Sequence, residues 1–300
     1  MTLRKVRKAV IPAAGFGTRF LPFTKSVPKE LIPLVDKPVI QYVVEEAAAS
    51  GIEEILIILS AGKEAIRHHF SPAPELEQRL EERGKTKILD ELRSIGGSVR
   101  ISYMCQHELN GLGGAVLLAK EFVGNEFFAI LLGDTVMSST TARPVTGQLV
   151  DAYLKYGAAA VAVEEVPAEL VDRYGIVGGK KLDDGAVDVT EMIEKPSVAE
   201  APSRLAVASR YLLGPAIFDA LERTPRGKGN EVQLTDAMRS LLGRERLIAR
   251  PIAGRRHDIG DKLSFLENTV EFALRRPEFR DKFMAYLRAV TAREKLQKEE

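Results

Sequence analysis

Short apolar runs alternate with longer helical patterns along most of the chain, and this alternation constrains the fold more than any other feature. The runs are rich in β-branched residues and almost continuously apolar, at residues 8–12, 54–60, 99–104, 127–132 and 158–163. Strands that are covered on both faces have this character, because neither face is left for polar residues. Helical patterns at 38–50 and 112–122 separate several of the runs. The chain is therefore predicted to form an α/β fold with a mostly parallel sheet flanked by helices.

Other stretches of the chain depart from the alternation. Residues 74–92 form a charged helical pattern, which favours an exposed insertion because charged helix faces are usually solvated. Residues 175–211 are richer in strand patterns and predict a smaller second lobe on the same sheet. From residue 262 the pattern is helical to the end of the chain. Since α/β folds often reach 300 residues as one unit, a single domain is predicted.

The charges of the chain nearly cancel. Forty-three basic and 42 acidic residues give a net charge of +1, so no overall field attracts nucleic acid or a membrane surface. No run approaches the ~18 apolar residues of a membrane-spanning helix. One cysteine, Cys105, excludes an internal disulfide and suits a reducing compartment. We expect a cytoplasmic protein with no nucleic-acid or membrane partner.

The first apolar run ends in a glycine-rich loop, residues 13–19 (AAGFGTR). Glycines let backbone N–H groups approach and point at anions, and phosphates bind at such loops in α/β folds. Arg19, Lys25 and Lys29 follow within eleven residues, which predicts a highly charged ligand such as a triphosphate. A dinucleotide-binding loop would need glycine at Phe20, and the lysine of a Walker A loop is absent, so both are excluded.

Further motifs follow this loop in an unbroken order between about residues 8 and 272. They are PKE (28–30), GLG (111–113), LGD (132–134), YGIV (174–177), IEKP (193–196), EVQLTD (231–236) and DIG (258–260). Together with the loop they closely resemble bacterial UTP–glucose-1-phosphate uridylyltransferases, which belong to the wider sugar-1-phosphate nucleotidylyltransferase family.

This resemblance implies a Rossmann-like sheet with a smaller sugar-binding lobe and a helical C-terminus. It divides the predicted single domain (1–300) into a nucleotide-binding half at about 1–140, a sugar-phosphate half at about 141–265 and C-terminal helices at about 266–300. It further implies Mg²⁺-dependent transfer of a uridylyl group from UTP to glucose 1-phosphate, which gives UDP-glucose and pyrophosphate. It also favours a homodimer or homotetramer.

The implied chemistry fits the residue types in these motifs. The sugar phosphate is itself the nucleophile and is largely dianionic at neutral pH, because its second pKa is near ~6. No catalytic serine, cysteine or histidine is therefore needed. The reaction requires two anions held in line and neutralisation of the charge on the departing pyrophosphate, which cations and Mg²⁺ can supply.

The resemblance assigns a role to each site residue. Catalytic roles fall to Arg19, Lys29, Asp134 and Lys195. Nucleotide-binding positions are Ala14, Gly15, Gly17, Thr18, Glu30, Gln106 and Gly111, with Gln106 and Gly111 reading the uracil. Sugar-phosphate binding falls to Gly175, Glu194 and Lys195, and Asp134 and Asp258 are the Mg²⁺ ligands. Arg210 or Tyr211 would line the sugar pocket.

Two positions depart from the common pattern of the family. Thr135 follows the strand aspartate where a second acidic or another polar residue is common, and Gly114 replaces the histidine of a Gly-Leu-Gly-His-Ala motif. Because of these two departures, the sequence leaves open which nucleotide and which sugar the protein prefers. The alternatives are a thymidylyl- or cytidylyltransferase acting on a hexose 1-phosphate, or a non-catalytic nucleotide-sugar-binding regulator. Uracil and thymine differ by one methyl group, worth only about 1–3 kcal/mol in a pocket.

Overall fold

A nine-stranded sheet forms the centre of the computed structural model, which describes residues 4–296. The strands of the chain are β1 (Lys8–Ala13), β2 (Pro33–Leu34), β3 (Lys37–Pro38), β4 (Glu54–Leu59), β5 (Arg100–Cys105), β6 (Phe128–Leu131), β7 (Thr135–Ser139), β8 (Ala159–Glu165), β9 (Gly175–Lys181), β10 (Val187–Glu194), β11 (Leu205–Leu213), β12 (Leu247–Pro251) and β13 (Gly254–Asp258). The helices are α1 (Val39–Ala49), α2 (Glu64–His69), α3 (Pro74–Glu82), α4 (Thr86–Ser94), α5 (Leu112–Leu117), α6 (Lys120–Val123), α7 (Val145–Tyr156), α8 (Ala216–Arg223), α9 (Leu234–Leu241), α10 (Lys262–Leu274) and α11 (Arg280–Leu296).

The sheet is parallel in its first half and mixed in its second. Its order is β5-β4-β1-β6-β11-β8-β12-β10-β9, and within it β11 and β10 run against the other strands. The predicted α/β fold with a mostly parallel sheet, strand-rich second lobe and helical C-terminus is confirmed. The division into one domain with two halves stays a prediction.

The apolar character of the parallel strands follows from cover on both faces. Along β4, Leu56 and Ile58 enter the core cluster that also contains residues of α5, α8 and α9. Ile55 and Ile57 enter the opposite cluster, which contains residues of α1 and α7. Successive side chains of a strand point to opposite faces, so a strand between two helix layers must be apolar at every position.

Two pairs of short strands outside the large sheet were not predicted, β2 with β3 and β7 with β13. β7 and β13 pair antiparallel, with Asp258 opposite Thr135 and Gly254 opposite Ser139. β7 (TVMSS) is largely polar and β13 (GRRHD) is largely charged, so their sequences lack the apolar signal of the central strands. Their pairing joins the segment after β6 to the segment before α10.

Several predicted helices are interrupted. The charged pattern at 74–92 is two helices, α3 and α4, because Gly84 between them has a φ of 63°. Leu89 is the one buried residue of this pair, as an exposed insertion requires. The C-terminal pattern is likewise split into α10 and α11 near Pro277, which cannot donate a helical hydrogen bond. Predictions for residues 297–300 lie outside the described residues. Within 4–296, no helix has the length and apolarity to cross a membrane.

Candidate active site

A cavity of about 480 Å³ lies beyond the carboxyl ends of β1, β5 and β6. Open α/β sheets bind their ligands at this edge. The cavity wall brings together seven of the predicted site residues, Ala14, Gly15, Lys29, Glu30, Gln106, Gly111 and Asp134. Gly17, Thr18, Arg19, Gly175, Glu194, Lys195 and Asp258 lie outside this wall.

The glycine-rich loop packs against the stem of Lys29. Gly17 has a φ of 65°, and a Cβ built on it would lie 2.9 Å from the Cβ of Lys29. The Thr24 hydroxyl donates to the Gly17 carbonyl at 2.8 Å and closes the loop. Any larger residue at position 17 would therefore strain the backbone and displace Lys29. The loop directs the lysine into the cavity.

Lys29 and Asp134 form an ion pair at the cavity wall. The ammonium donates to Oδ2 of Asp134 at 2.5 Å. Burial lowers the pKa of Lys29, but the carboxylates of Asp134, Glu30 and Asp258 outweigh burial and raise it. Burial raises the pKa of Asp134, but Lys29 outweighs burial and lowers it. Both groups are therefore charged at neutral pH.

Glu30 is held by a residue that the sequence analysis missed. Lys63 donates to both carboxylate oxygens of Glu30 at 2.8 Å and to the Ala13 carbonyl at 2.6 Å. Burial raises the pKa of Glu30 and lowers that of Lys63. The opposite charge of the partner only partly offsets the effect of burial on each group. Lys63 thus fixes the end of β1 where the glycine-rich loop begins. Its place soon after β4, at the same sheet edge, is the signal that could have identified it.

The two predicted metal ligands come together through β7 and β13. Asp258 lies opposite Thr135 in this ladder and so next to Asp134. Oδ1 of Asp258 accepts from the Gly260 N–H at 2.7 Å, and Arg19 donates to the Gly260 carbonyl at 3.3 Å. Although Arg19 does not line the cavity, this contact brings it beside Asp258.

The part of the cavity next to β5 presents amide groups, three strands along the sheet from Asp134 beside β6. The Gln106 N–H donates to the Leu59 carbonyl at 2.7 Å and anchors the residue that follows β5. Gly111 has a φ of 96°, and a Cβ there would lie 2.6 Å from the Cβ of Glu231. The EVQLTD motif therefore packs directly on the GLG motif, and a side chain at 111 has no room.

The predicted sugar residues form a second group, outside the cavity wall. Gly175 is paired with Glu194 across β9 and β10, and a Cβ on Gly175 would lie 3.1 Å from Oε2 of Glu194. Thr235, another missed residue, donates to the same oxygen at 2.7 Å. Lys195 has a left-handed backbone (φ 48°), and its side chain is 40 % exposed. This backbone turns the lysine out of the strand.

The prediction that Arg210 or Tyr211 lines the sugar pocket fails for Arg210. Tyr211, the other candidate, is nearly buried, and burial together with the nearby carboxylate of Glu194 raises its pKa. The Arg210 side chain is 0 % exposed, and it donates from Nε and Nη2 to Glu46 at 3.0 and 2.7 Å. Nη2 also donates to the Thr135 carbonyl at 2.8 Å. The guanidinium points towards α1 because the buried carboxylate of Glu46 lies there. Through its hydrogen bond to the Thr135 carbonyl, Arg210 stabilises the backbone directly after Asp134.

Arg256 is a further residue that the sequence analysis missed. It lies two residues before Asp258, pairs with Glu164 at 2.5 Å and stacks over the Tyr174 ring at 4.2 Å. Burial raises the pKa of Glu164, and the positive charge of Arg256, which lowers it, only partly offsets this increase. Arg256 thus links the strand of Asp258 to the residue that precedes Gly175. The run of basic residues before Asp258 was the available signal.

The comparisons with known proteins agree with this geometry. The family described as "Nucleotidyl transferase" matches residues 8–273, and the chain belongs to this family. Over 97 % of both sequences, it is 50 % identical to the UTP–glucose-1-phosphate uridylyltransferase YngB of Bacillus subtilis (strain 168). The family prediction is therefore confirmed.

The chain is also similar to solved structures of UDP-glucose pyrophosphorylases (UGPases). A UTP-bound UGPase from Acinetobacter baumannii is 37 % identical with a TM-score of 0.88, covering 94 % of this chain and 99 % of that one. A UDP-glucose pyrophosphorylase complexed with UDP-glucose is 39 % identical with a TM-score of 0.83, covering 91 % of this chain and 100 % of that one.

Proposed function

We propose that the protein transfers the uridylyl group of UTP to glucose 1-phosphate and releases pyrophosphate. The observation that carries the proposal is one cavity whose wall includes Gln106 and Gly111 after β5 and the Lys29–Asp134 ion pair beside β6, with β4 and β1 between these two strands. A nucleotide has the same polarity, with a base at one end and phosphates at the other. The names of the relatives support this assignment, since they specify UTP, glucose 1-phosphate and UDP-glucose.

The phosphates would bind at the charged end. Lys29 offers an ammonium at the cavity wall, and Arg19 offers a guanidinium fork, which matches phosphate oxygens bidentately. The backbone of Ala14, Gly15 and Gly17 would approach the same phosphates. As the reaction proceeds, negative charge grows on the departing pyrophosphate, and fixed cations stabilise that charge without reorganising.

Asp134 and Asp258 would hold Mg²⁺. Each carboxylate uses one oxygen within the protein; Asp134 Oδ1 receives only a 3.5 Å contact from Thr135, and Asp258 Oδ2 accepts no hydrogen bond from residues 4–296. No cluster of three or more metal-binding side chains occurs among the described side chains, which exclude those of residues 1–3, 228 and 294–300. Two carboxylates fit Mg²⁺, which keeps several waters and uses phosphate oxygens as further ligands. When bound, Mg²⁺ would neutralise phosphate charge.

The transfer itself would be one direct displacement. An oxygen of the sugar phosphate forms the new bond to the α-phosphorus of UTP, and the bond from that phosphorus to the bridging oxygen of pyrophosphate breaks. Lys195 would hold the sugar phosphate, while Glu194 and Gly175 would face the sugar hydroxyls. No protein nucleophile takes part, so the chain's task is to align the two anions.

The test is pyrophosphate release with Mg²⁺ and glucose 1-phosphate, with UTP, dTTP, CTP, ATP and GTP supplied as separate donors. The proposal predicts a strong preference for UTP and UDP-glucose as the product. A preference for dTTP would move the protein to a thymidylyl branch with the same mechanism. Silence of the folded protein with all five donors would refute the proposal.

A further inference from the structure

Gly114 leaves a space that another side chain fills. A Cβ built on Gly114 would lie 1.7 Å from Oδ1 and 2.4 Å from Cγ of Asn110. Gly114 is buried in the first turns of α5, so the Asn110 amide rests against the helix backbone itself. No residue with a side chain can occupy position 114 while Asn110 keeps this conformation.

The Asn110 amide in turn contacts Gln106. Nε2 of Gln106 donates to Oδ1 of Asn110 at 3.0 Å and makes a longer contact of 3.4 Å to the Gly111 carbonyl. A backbone carbonyl only accepts hydrogen bonds, so Nε2 of Gln106 faces Gly111. The reversed amide would set Oε1 of Gln106 against that carbonyl oxygen. Gly111 thus selects the orientation, and Asn110 supplies the ordinary-length hydrogen bond that holds it.

This arrangement leaves Gln106 with an acceptor for the cavity. Oε1 of Gln106 accepts no hydrogen bond from residues 4–296, and that range contains no buried polar side-chain atom without a partner. Oε1 is therefore accessible, and Gln106 lines the cavity. Uracil presents a donor at its ring N3–H, whereas N3 of cytosine carries a lone pair.

We propose that Asn110, admitted by Gly114, is a specificity-determining positioning residue that fixes the Gln106 amide as an acceptor and so selects a base with a ring N–H over cytosine. Thymine shares the N3–H, so among the pyrimidines the selection acts against cytosine alone. The proposal rests on the proposed function, because it assumes that the base lies at Gln106. Asn110 acts through Gln106 and does not itself need to touch the nucleotide.

The test compares UTP with CTP in two variants. Asn110→Ala removes the acceptor that holds Gln106, and Gly114→Ala adds a Cβ that displaces Asn110. Each is expected to lower the UTP-to-CTP ratio of kcat/KM by about 10-fold or more, because a fixed acceptor rejects cytosine more strongly than a mobile amide. The ratio of the dissociation constant of CTP to that of UTP, measured without glucose 1-phosphate, should fall in parallel. The double variant should lose no more UTP-to-CTP selectivity than either single variant, since both substitutions act on the one contact between Asn110 and Gln106.

Gly147→Ala is the matched control. Gly147 is also a helical glycine, and its Cβ would meet the side chain of Arg143 at 2.9 Å. Its helix, α7, packs on the opposite face of the sheet from α5. This variant should keep the wild-type ratio. If folded Asn110→Ala keeps the wild-type UTP-to-CTP ratio of kcat/KM while the wild type still prefers UTP, the proposed role of Asn110 is overturned and the proposed function stands. A wild type that does not use UTP would instead overturn the proposed function.

Discussion

The buried pair of Arg210 and Glu46 gives a sharp prediction for stability. Arg210→Met removes the hydrogen bonds to Glu46 and to the carbonyls of Ser209 and Thr135. Glu46 then remains buried, with only the N–H and hydroxyl of Thr146 as donors. Removing one partner of a buried ion pair typically costs about 3–5 kcal/mol, because the remaining charge is uncompensated. We expect a loss of stability in this range.

The assay is urea unfolding followed by circular dichroism, since the chain has no tryptophan to report by fluorescence. With a slope of about 3 kcal/mol/M or more, the expected loss lowers the midpoint by about 1 M. Arg143→Met is the control, because Arg143 and Asp151 form an exposed pair with side chains 42 % and 54 % exposed. Such pairs contribute about 0–1 kcal/mol.

A double variant separates lost charge compensation from lost packing. Arg210→Met with Glu46→Leu removes both charges, and apolar replacements of buried ion pairs are often neutral. This variant should be more stable than Arg210→Met alone, although Thr146 loses its acceptor at a cost of about 1–3 kcal/mol. The reasoning is refuted if the double variant is no more stable than Arg210→Met, or if Arg210→Met costs no more than the exposed control.

Three further variants test the site. Lys195→Ala should raise the KM for glucose 1-phosphate far more than that for UTP, and the reverse pattern would mean that the two subsites are exchanged. Gly17→Ala should lower kcat/KM for UTP, because φ is 65° there and the new Cβ meets Lys29 at 2.9 Å; wild-type kinetics would contradict the packing argument. Lys63→Met should lower stability by about 3–5 kcal/mol, since it leaves Glu30 buried without its partner, and a midpoint within error of the wild type would contradict this.

The sequence was informative where a local pattern carried the signal. Apolar runs predicted the central strands, because strands covered on both faces must be apolar. The glycine-rich loop predicted the position of Lys29, since a phosphate-binding loop follows the first strand. Asp134 followed from its place directly after β6. Each of these predictions depends on neighbours within a few residues.

What the sequence could not supply were contacts between distant segments. The pairing of β7 with β13 joins polar stretches more than a hundred residues apart and has no periodic signal. The family resemblance placed Arg210 or Tyr211 in the sugar pocket, but the Arg210 side chain turns towards α1 to pair with Glu46, 164 residues away. Lys63 likewise acts through a contact to Glu30, 33 residues away, that only the folded chain brings together.

The most direct test of the account measures UDP-glucose formation from UTP and glucose 1-phosphate, with the wild type and Asp134→Asn compared side by side. Asparagine keeps the size of the side chain but removes the charge that pairs with Lys29 and would bind Mg²⁺. The account predicts one pyrophosphate for each UDP-glucose made by the wild type, no product after chelation of Mg²⁺, and a rate lowered by about 10²–10³ or more in the folded variant. A folded wild type that makes no UDP-glucose, or a variant with an unchanged rate, would contradict it.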